Sequence, residues 1–151
     1  MNIVIRPGLL FDVDIITEFQ IKMAFETENI KLDPSIVTQG VGAVLDDPNK
    51  GKYWLAEVDS RVVGCLLTIP EWSDWRNGTV LWIHSVYVAP EFRKRGVFQT
   101  LYSHLKDNVA HSTDLRGLRL YVDKTNSVAQ KVYSELGMNN QHYHLYEWMK
   151  G

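Results

Sequence analysis

The chain has almost no cysteine: Cys65 is the only one in 151 residues. A disulfide within the chain and any multi-cysteine metal site are thereby excluded. Cys65 lies in the apolar run RVVGCLLTI and reads as a small buried residue rather than a reactive thiol. Charge of one sign is not in excess either. Sixteen Lys and Arg against 18 Asp and Glu leave a net charge of −2, so no overall field draws the protein onto nucleic acid. No run reaches the roughly 18 apolar residues that a membrane-spanning helix needs. The start, MNIVIRPGLLFDVDII, carries acids and a proline in place of a signal peptide's basic, apolar and small-residue regions. A cytoplasmic protein with no membrane or nucleic-acid partner is the expectation. Repeats, low-complexity tracts and Ser/Pro-rich linkers are missing too. That predicts one domain, residues 1–151, large enough to bury its own core.

What is present is a regular series of elements. NIVIR at 2–6 reads as a short strand closed by Pro7 and Gly8. A helix follows, with Asp12 and Asp14 suiting its N-terminal dipole and Ile15, Phe19 and Met23 facing the core. Pro34 opens a second helix to about Asp47. YWLAEVD and RVVGCLLTIPEW flank a turn at Asp59 and Ser60 and predict a hairpin; TVLWIHSVYV is the next strand, ending at Pro90. A helix is predicted from about Lys94 to His111, then a strand GLRLYVD, a helix capped by Asn126 and ended by Gly137, and a closing strand HYHLYEWM. Hairpins imply antiparallel pairing, and the later strand–helix–strand implies a parallel crossover. The expected fold is α+β, a mixed and mostly antiparallel sheet of about six to seven strands with helices on both faces.

The segment FRKRGVFQTLY, residues 92–102, sets Arg93, Lys94 and Arg95 before Gly96 at the start of a helix. A glycine lets the backbone turn left-handed and lets a ligand approach closely. The first amides of a helix have no intrahelical acceptor and stand at the positive end of its dipole. That pairing makes an anion site, with phosphate the usual occupant. A solvated basic turn is the alternative, but three cations there oppose the dipole unless an anion compensates them.

RKRGVF resembles the R/Q-x-x-G-x-G/A segment of the GNAT superfamily of N-acetyltransferases, with Phe98 standing where the family has Gly or Ala. NSVAQKVYSELGM, residues 126–138, resembles the family's N-x-x-A-x-x-x-Y-x-x-L-G-F block, with Met138 in the last place. The order of elements is similar as well, across essentially the whole chain. The resemblance implies acetyl-coenzyme A as co-substrate and an amine as acceptor; no metal is expected, since the chain offers no evident set of three ligands. It implies a pyrophosphate cradle at Arg93, Lys94, Arg95, Gly96, Val97 and Phe98, with Asn126 and Tyr133 also at the coenzyme. It further implies that Val86, Tyr87 and Val88 hold the thioester carbonyl, that their strand splays from RLYVD, and that Tyr133 protonates the leaving thiolate.

The proton acceptor is open between residues. His84 stands where arylalkylamine N-acetyltransferases carry a histidine; it either meets the acceptor or is a packed, hydrogen-bonded ring. Trp82 occupies the place of a glutamate found in histone-type relatives, so that carboxylate is absent. Glu26 and Glu28 either bind or deprotonate a cationic amine, or form a solvated helix end. Trp72 and Trp75 offer an acceptor wall or a homodimer contact, and His142 and His144 lack a third ligand for a metal. A coenzyme A-binding regulatory or interaction domain without turnover is the competing reading of the whole chain.

Overall fold

A computed structural model describes all 151 residues. They form two compact units, Met1–Arg119 and Leu120–Gly151, taken in turn. The first holds a five-stranded sheet whose spatial order follows the chain. Its strands are β1 (Val4–Pro7), β2 (Lys52–Val58), β3 (Arg61–Ser73), β4 (Gly78–Val88) and β5 (Leu115–Arg119). β1 to β4 pair antiparallel and β4–β5 pair parallel. Helices α1 (Val13–Glu28) and α2 (Pro34–Asp46) separate β1 from β2, and α3 (Val97–His111) makes the crossover from β4 to β5. The result is the mixed α+β sheet flanked by helices that the sequence predicts.

Local chemistry sets these elements. Asp59 and Ser60 both take positive φ, +50° and +63°, the tight-turn geometry that matches strand twist in a two-residue hairpin. Asp33 caps α2 by accepting from the Ser35 amide at 2.9 Å, and Pro34 follows at the first helical position. Alternation sends Tyr53, Leu55, Cys65, Leu67 and Tyr87 to one face, where they pack with Ile16 and Phe19 of α1 and Val41 of α2. On the other face Trp54 packs against His104 of α3, with ring centroids 4.9 Å apart. Cys65 is fully buried, and burial pushes its thiol up to about 12.

Three expectations are corrected. The sheet has five strands, not six to seven, because residues 142–149 form no strand. A strand is made by its ladder; the alternation in HYHLYEWM assigns faces but supplies no neighbour, and none pairs with it. β5 stops at Arg119 instead of continuing to Asp123. α3 begins at Val97 rather than Lys94, since Lys94 and Gly96 sit at φ +61° and +83°, outside any right-handed helix. In the second unit α4 spans Ser127–Glu135, capped by Asn126, and Gly137 at φ +89° follows its end.

Asp12 does more than suit a dipole. Its buried carboxylate accepts from both terminal nitrogens of Arg6, at 2.8 and 2.9 Å, and from the Leu9 amide at 2.7 Å. The Arg6 guanidinium holds that carboxyl below the usual carboxylate range. Asp12→Asn should therefore cost about 1–3 kcal/mol at neutral pH, because it removes the buried charge that Arg6 and the Leu9 amide meet while Glu57 still faces Arg6 at 3.2 Å. A lowered folded pKa gives stability that is present above the unfolded value and lost as pH falls through the folded one. The gap between parent and variant in urea unfolding should thus begin to close below about pH 4.

Candidate active site

The centre of β4 is irregular. Cys65 pairs with Tyr87 and Leu67 with His84, so two steps along β3 match three along β4 and β4 carries one extra residue. Ser85 absorbs the bulge at φ +55°. Because of that extra residue, Tyr87 lies on the same sheet face as His84 although they are three apart. On the other edge, β5 accompanies β4 only from Thr79 to Trp82. Residues 83–88 therefore have β3 on one side and no strand on the other. The Ala89 amide donates to the Val63 carbonyl at 2.8 Å, so alternation turns the backbone polar groups of Val88, and of Val86 before it, to the open edge.

This edge leads into the cation–glycine turn. A Cβ placed on Gly96 would meet nothing within 4 Å, so the backbone there faces open space, and its φ of +83° favours glycine. The first intrahelical bond of α3 runs from the Thr100 amide to the Gly96 carbonyl at 3.0 Å. The amides of Val97, Phe98 and Gln99 precede it and have no acceptor within the helix. Phe98, the departure from the expected Gly or Ala, packs its ring on Tyr102 along the helix, 6.2 Å between centroids. Lys94 and Arg95 are exposed, the latter 5.8 Å from the Phe92 ring centroid. Arg93 is engaged: Nε donates to the Val88 carbonyl at 2.8 Å and Nη2 to Glu26 at 2.7 Å.

His84 is half-buried, and burial lowers its pKa below the ordinary imidazole value, which favours the neutral, proton-accepting ring. Trp82 meets it edge-on at 6.4 Å. The Trp82 indole donates to Glu71 at 3.2 Å, and the other Glu71 oxygen accepts from Arg119 at 2.9 Å. Glu71, Arg119 and Ser85 were not singled out from the sequence. Alternation through β3 could have found Glu71, but nothing marks Ser85, since left-handed bulge residues are usually glycine. Glu26 is paired with Arg93, Glu28 is exposed at the end of α1, and Trp72 and Trp75 are exposed at the β3–β4 turn.

In the second unit the Asn126 side chain accepts from the Ala129 amide at 3.1 Å and fixes the start of α4. Tyr133 lies seven residues on, and burial raises its hydroxyl above the ordinary phenol range, which keeps it protonated at neutral pH. His142 and His144 gain no third ligand: no group of three or more His, Cys, Asp or Glu side chains comes together.

No curated protein matches the chain. Solved structures do. A protein described as a possible acetyltransferase from Clostridium difficile 630 is 41% identical, with 99% of each chain covered and a TM-score of 0.93. The ribosomal-protein-alanine N-acetyltransferase of Brucella melitensis biovar Abortus 2308 shares the fold at 16% identity, covering 99% of this chain and 100% of its own, TM-score 0.81. A predicted acetyltransferase from Clostridium acetobutylicum, solved with acetyl-CoA, does so at 16% identity, 97% and 96% coverage and TM-score 0.75. The model of the acetyltransferase (GNAT) family matches residues 16–138, from α1 through α4, and so takes in the β4 bulge, the glycine turn and Tyr133. The chain belongs to the acetyltransferase (GNAT) family and is an enzyme of acetyl transfer from acetyl-coenzyme A.

Proposed function

We propose that this chain moves the acetyl group of acetyl-coenzyme A to a primary amine of a small molecule or peptide. In this reading residues 1–151 work as a single cytoplasmic N-acetyltransferase domain. One observation carries it: the open edge of β4 beyond the bulge is followed, after the short 3-10 turn Pro90–Phe92, by the open backbone at Gly96 and the uncapped start of α3. A pantetheine arm needs a row of strand-like donors, and a pyrophosphate needs helix N-terminal amides with nearby cations. The first unit supplies both in sequence.

Each residue then has a task. The open-edge amides of the Val86–Val88 segment, Tyr87 between them, orient the pantetheine and donate to the thioester carbonyl as it becomes an oxyanion. Donors fixed in place before reaction are worth far more than mobile water. The turn at Gly96 and the amides of Val97, Phe98 and Gln99, with Lys94 and Arg95, receive the pyrophosphate. His84 drains a proton from the amine through water, and the freed nitrogen attacks the carbonyl carbon. As the tetrahedral centre collapses, the C–S bond breaks and its electron pair stays on sulfur. Tyr133 gives that sulfur a proton, and Asn126 steadies the helix that carries it. Glu28, exposed at the end of α1, draws a cationic acceptor toward the site, while the Glu26 carboxylate is taken up by Arg93. Trp72 and Trp75 give the acceptor's body, or a second copy of the chain, an apolar surface.

Free-thiol release from acetyl-coenzyme A across an amine panel tests the reading. Release with at least one amine is expected; binding with no release for any amine would instead favour a coenzyme-binding domain without turnover. Tyr133→Phe should lower kcat by roughly 10- to 1,000-fold while coenzyme affinity moves far less, a loss confined to proton donation.

Gly96→Asp should weaken acetyl-coenzyme A binding by more than about tenfold, since it sets a negative side chain where phosphate oxygens belong. Calorimetry on the folded variant checks this. For His84 the sign follows from burial: a lowered pKa places the acid limb of kcat/KM below about pH 6.5, with activity falling as pH drops through it. His84→Ala should lower kcat/KM and remove that limb; an unchanged limb would assign the proton to another group.

A further inference from the structure

Arg93 opens the motif that points to an anion, yet the fold gives it other partners. Nε donates to the Val88 carbonyl and Nη2 to the Glu26 carboxylate, at 2.8 and 2.7 Å. The guanidinium carbon stands 5.4 Å from the centroid of the Tyr87 ring. That ring also packs on Phe19 of α1, with centroids 4.8 Å apart. Phe19 and Glu26 are seven residues apart, two turns on one face of α1. One helix face therefore grips the outer end of β4 at two points, and Arg93 makes the second.

The charges fit this use. Glu26 lies in the last turn of α1, where a carboxylate opposes the helix dipole unless a cation meets it. No basic residue occupies that turn, so the cation comes from across the fold. A guanidinium can also serve a backbone carbonyl and a carboxylate at once from fixed, differently aimed nitrogens. A lysine ammonium is a point charge on a flexible stem and cannot copy that geometry.

We propose that Arg93 is a positioning residue rather than a phosphate ligand. It ties the coenzyme-holding end of β4 to the helix bordering the acceptor, so the two are set together. Glu26 is its anchor. Coenzyme affinity then depends on a carboxylate that never touches the coenzyme. The inference rests on the open edge of β4 being the pantetheine seat.

The test is calorimetry, without amine, on acetyl-coenzyme A and on acetyl-pantetheine, which lacks the pyrophosphate. The proteins are the parent, Glu26→Gln, Arg93→Lys, Arg93→Ala and the double variant Glu26→Gln/Arg93→Ala. Glu26→Gln should weaken both ligands by roughly 2- to 5-fold, the range for losing one exposed ion pair. Arg93→Lys should weaken both as well, despite keeping its charge, and the double variant should be no worse than Arg93→Ala. The opposite pattern would overturn the proposal: Glu26→Gln neutral or tighter, with Arg93→Ala harming acetyl-coenzyme A and sparing acetyl-pantetheine. That is the signature of a phosphate ligand released from a competing carboxylate. If Arg93→Ala loses its near-ultraviolet circular dichroism, Glu26→Gln decides alone. A parent that binds neither ligand overturns the pantetheine seat and this proposal with it; a parent that binds both beside an unaffected Glu26→Gln overturns this proposal only.

Discussion

One extra residue in β4 organises the rest of the site. A regular strand would place His84 and Tyr87 on opposite faces, because they are an odd number of residues apart. The bulge at Ser85 brings both to the face covered by α1. A bulge also bends its strand and disrupts the ladder. β4 loses its parallel neighbour after Trp82, three residues before Ser85, and no strand joins its outer edge from there to its end at Val88. An open edge inside a sheet is ordinarily a liability, since unpaired backbone groups invite another chain. Here the opening is short, and the 3-10 turn Pro90–Phe92 separates it from an uncapped helix start that suits an anion. The same irregularity thus aims side chains at one face and backbone donors at one edge.

Ion pairs brace β4 on either side of the bulge. Arg93 fastens the end of β4 to α1, and Glu71 spans from the Trp82 indole to Arg119 on β5. The second of these spans the place where β4 and β5 part company. Each pair is partly exposed, so each is modest in energy and screened by salt. Their value lies in geometry, since an arginine fork and a two-oxygen carboxylate fix direction as well as distance. The Arg6–Asp12 pair is of another kind: the Asp12 carboxylate is buried at the entry to α1, and Arg6 meets Glu57 as well, at 3.2 Å.

Much of this was legible in the sequence, and what was not has a physical reason. Asp59–Ser60, Pro34, Asn126 and Gly137 mark turns and helix ends through local chemistry, and each falls where the sequence places it. Turn signals bounding apolar, β-branched and aromatic runs marked β2, β3 and β4, and alternation put Trp82 and His84 on one face. Pairing was less legible. HYHLYEWM alternates well enough for a strand, but alternation carries no information about a neighbour. Left-handed backbone at a residue other than glycine is also silent in sequence, which hid Ser85 and put the start of α3 three residues early at Lys94. Arg93 shows a third limit: a charge run says that cations are present, not which carboxylate each one meets.

The central claim is that the open edge of β4 and the start of α3 together hold the acetyl donor. Residue-resolved amide hydrogen exchange, with and without acetyl-coenzyme A, tests it most directly. The account predicts slower exchange at Val86 and Val88 and at Val97, Phe98 and Gln99 when the donor binds. Binding that protects amides elsewhere and leaves exchange at these five unchanged would contradict it.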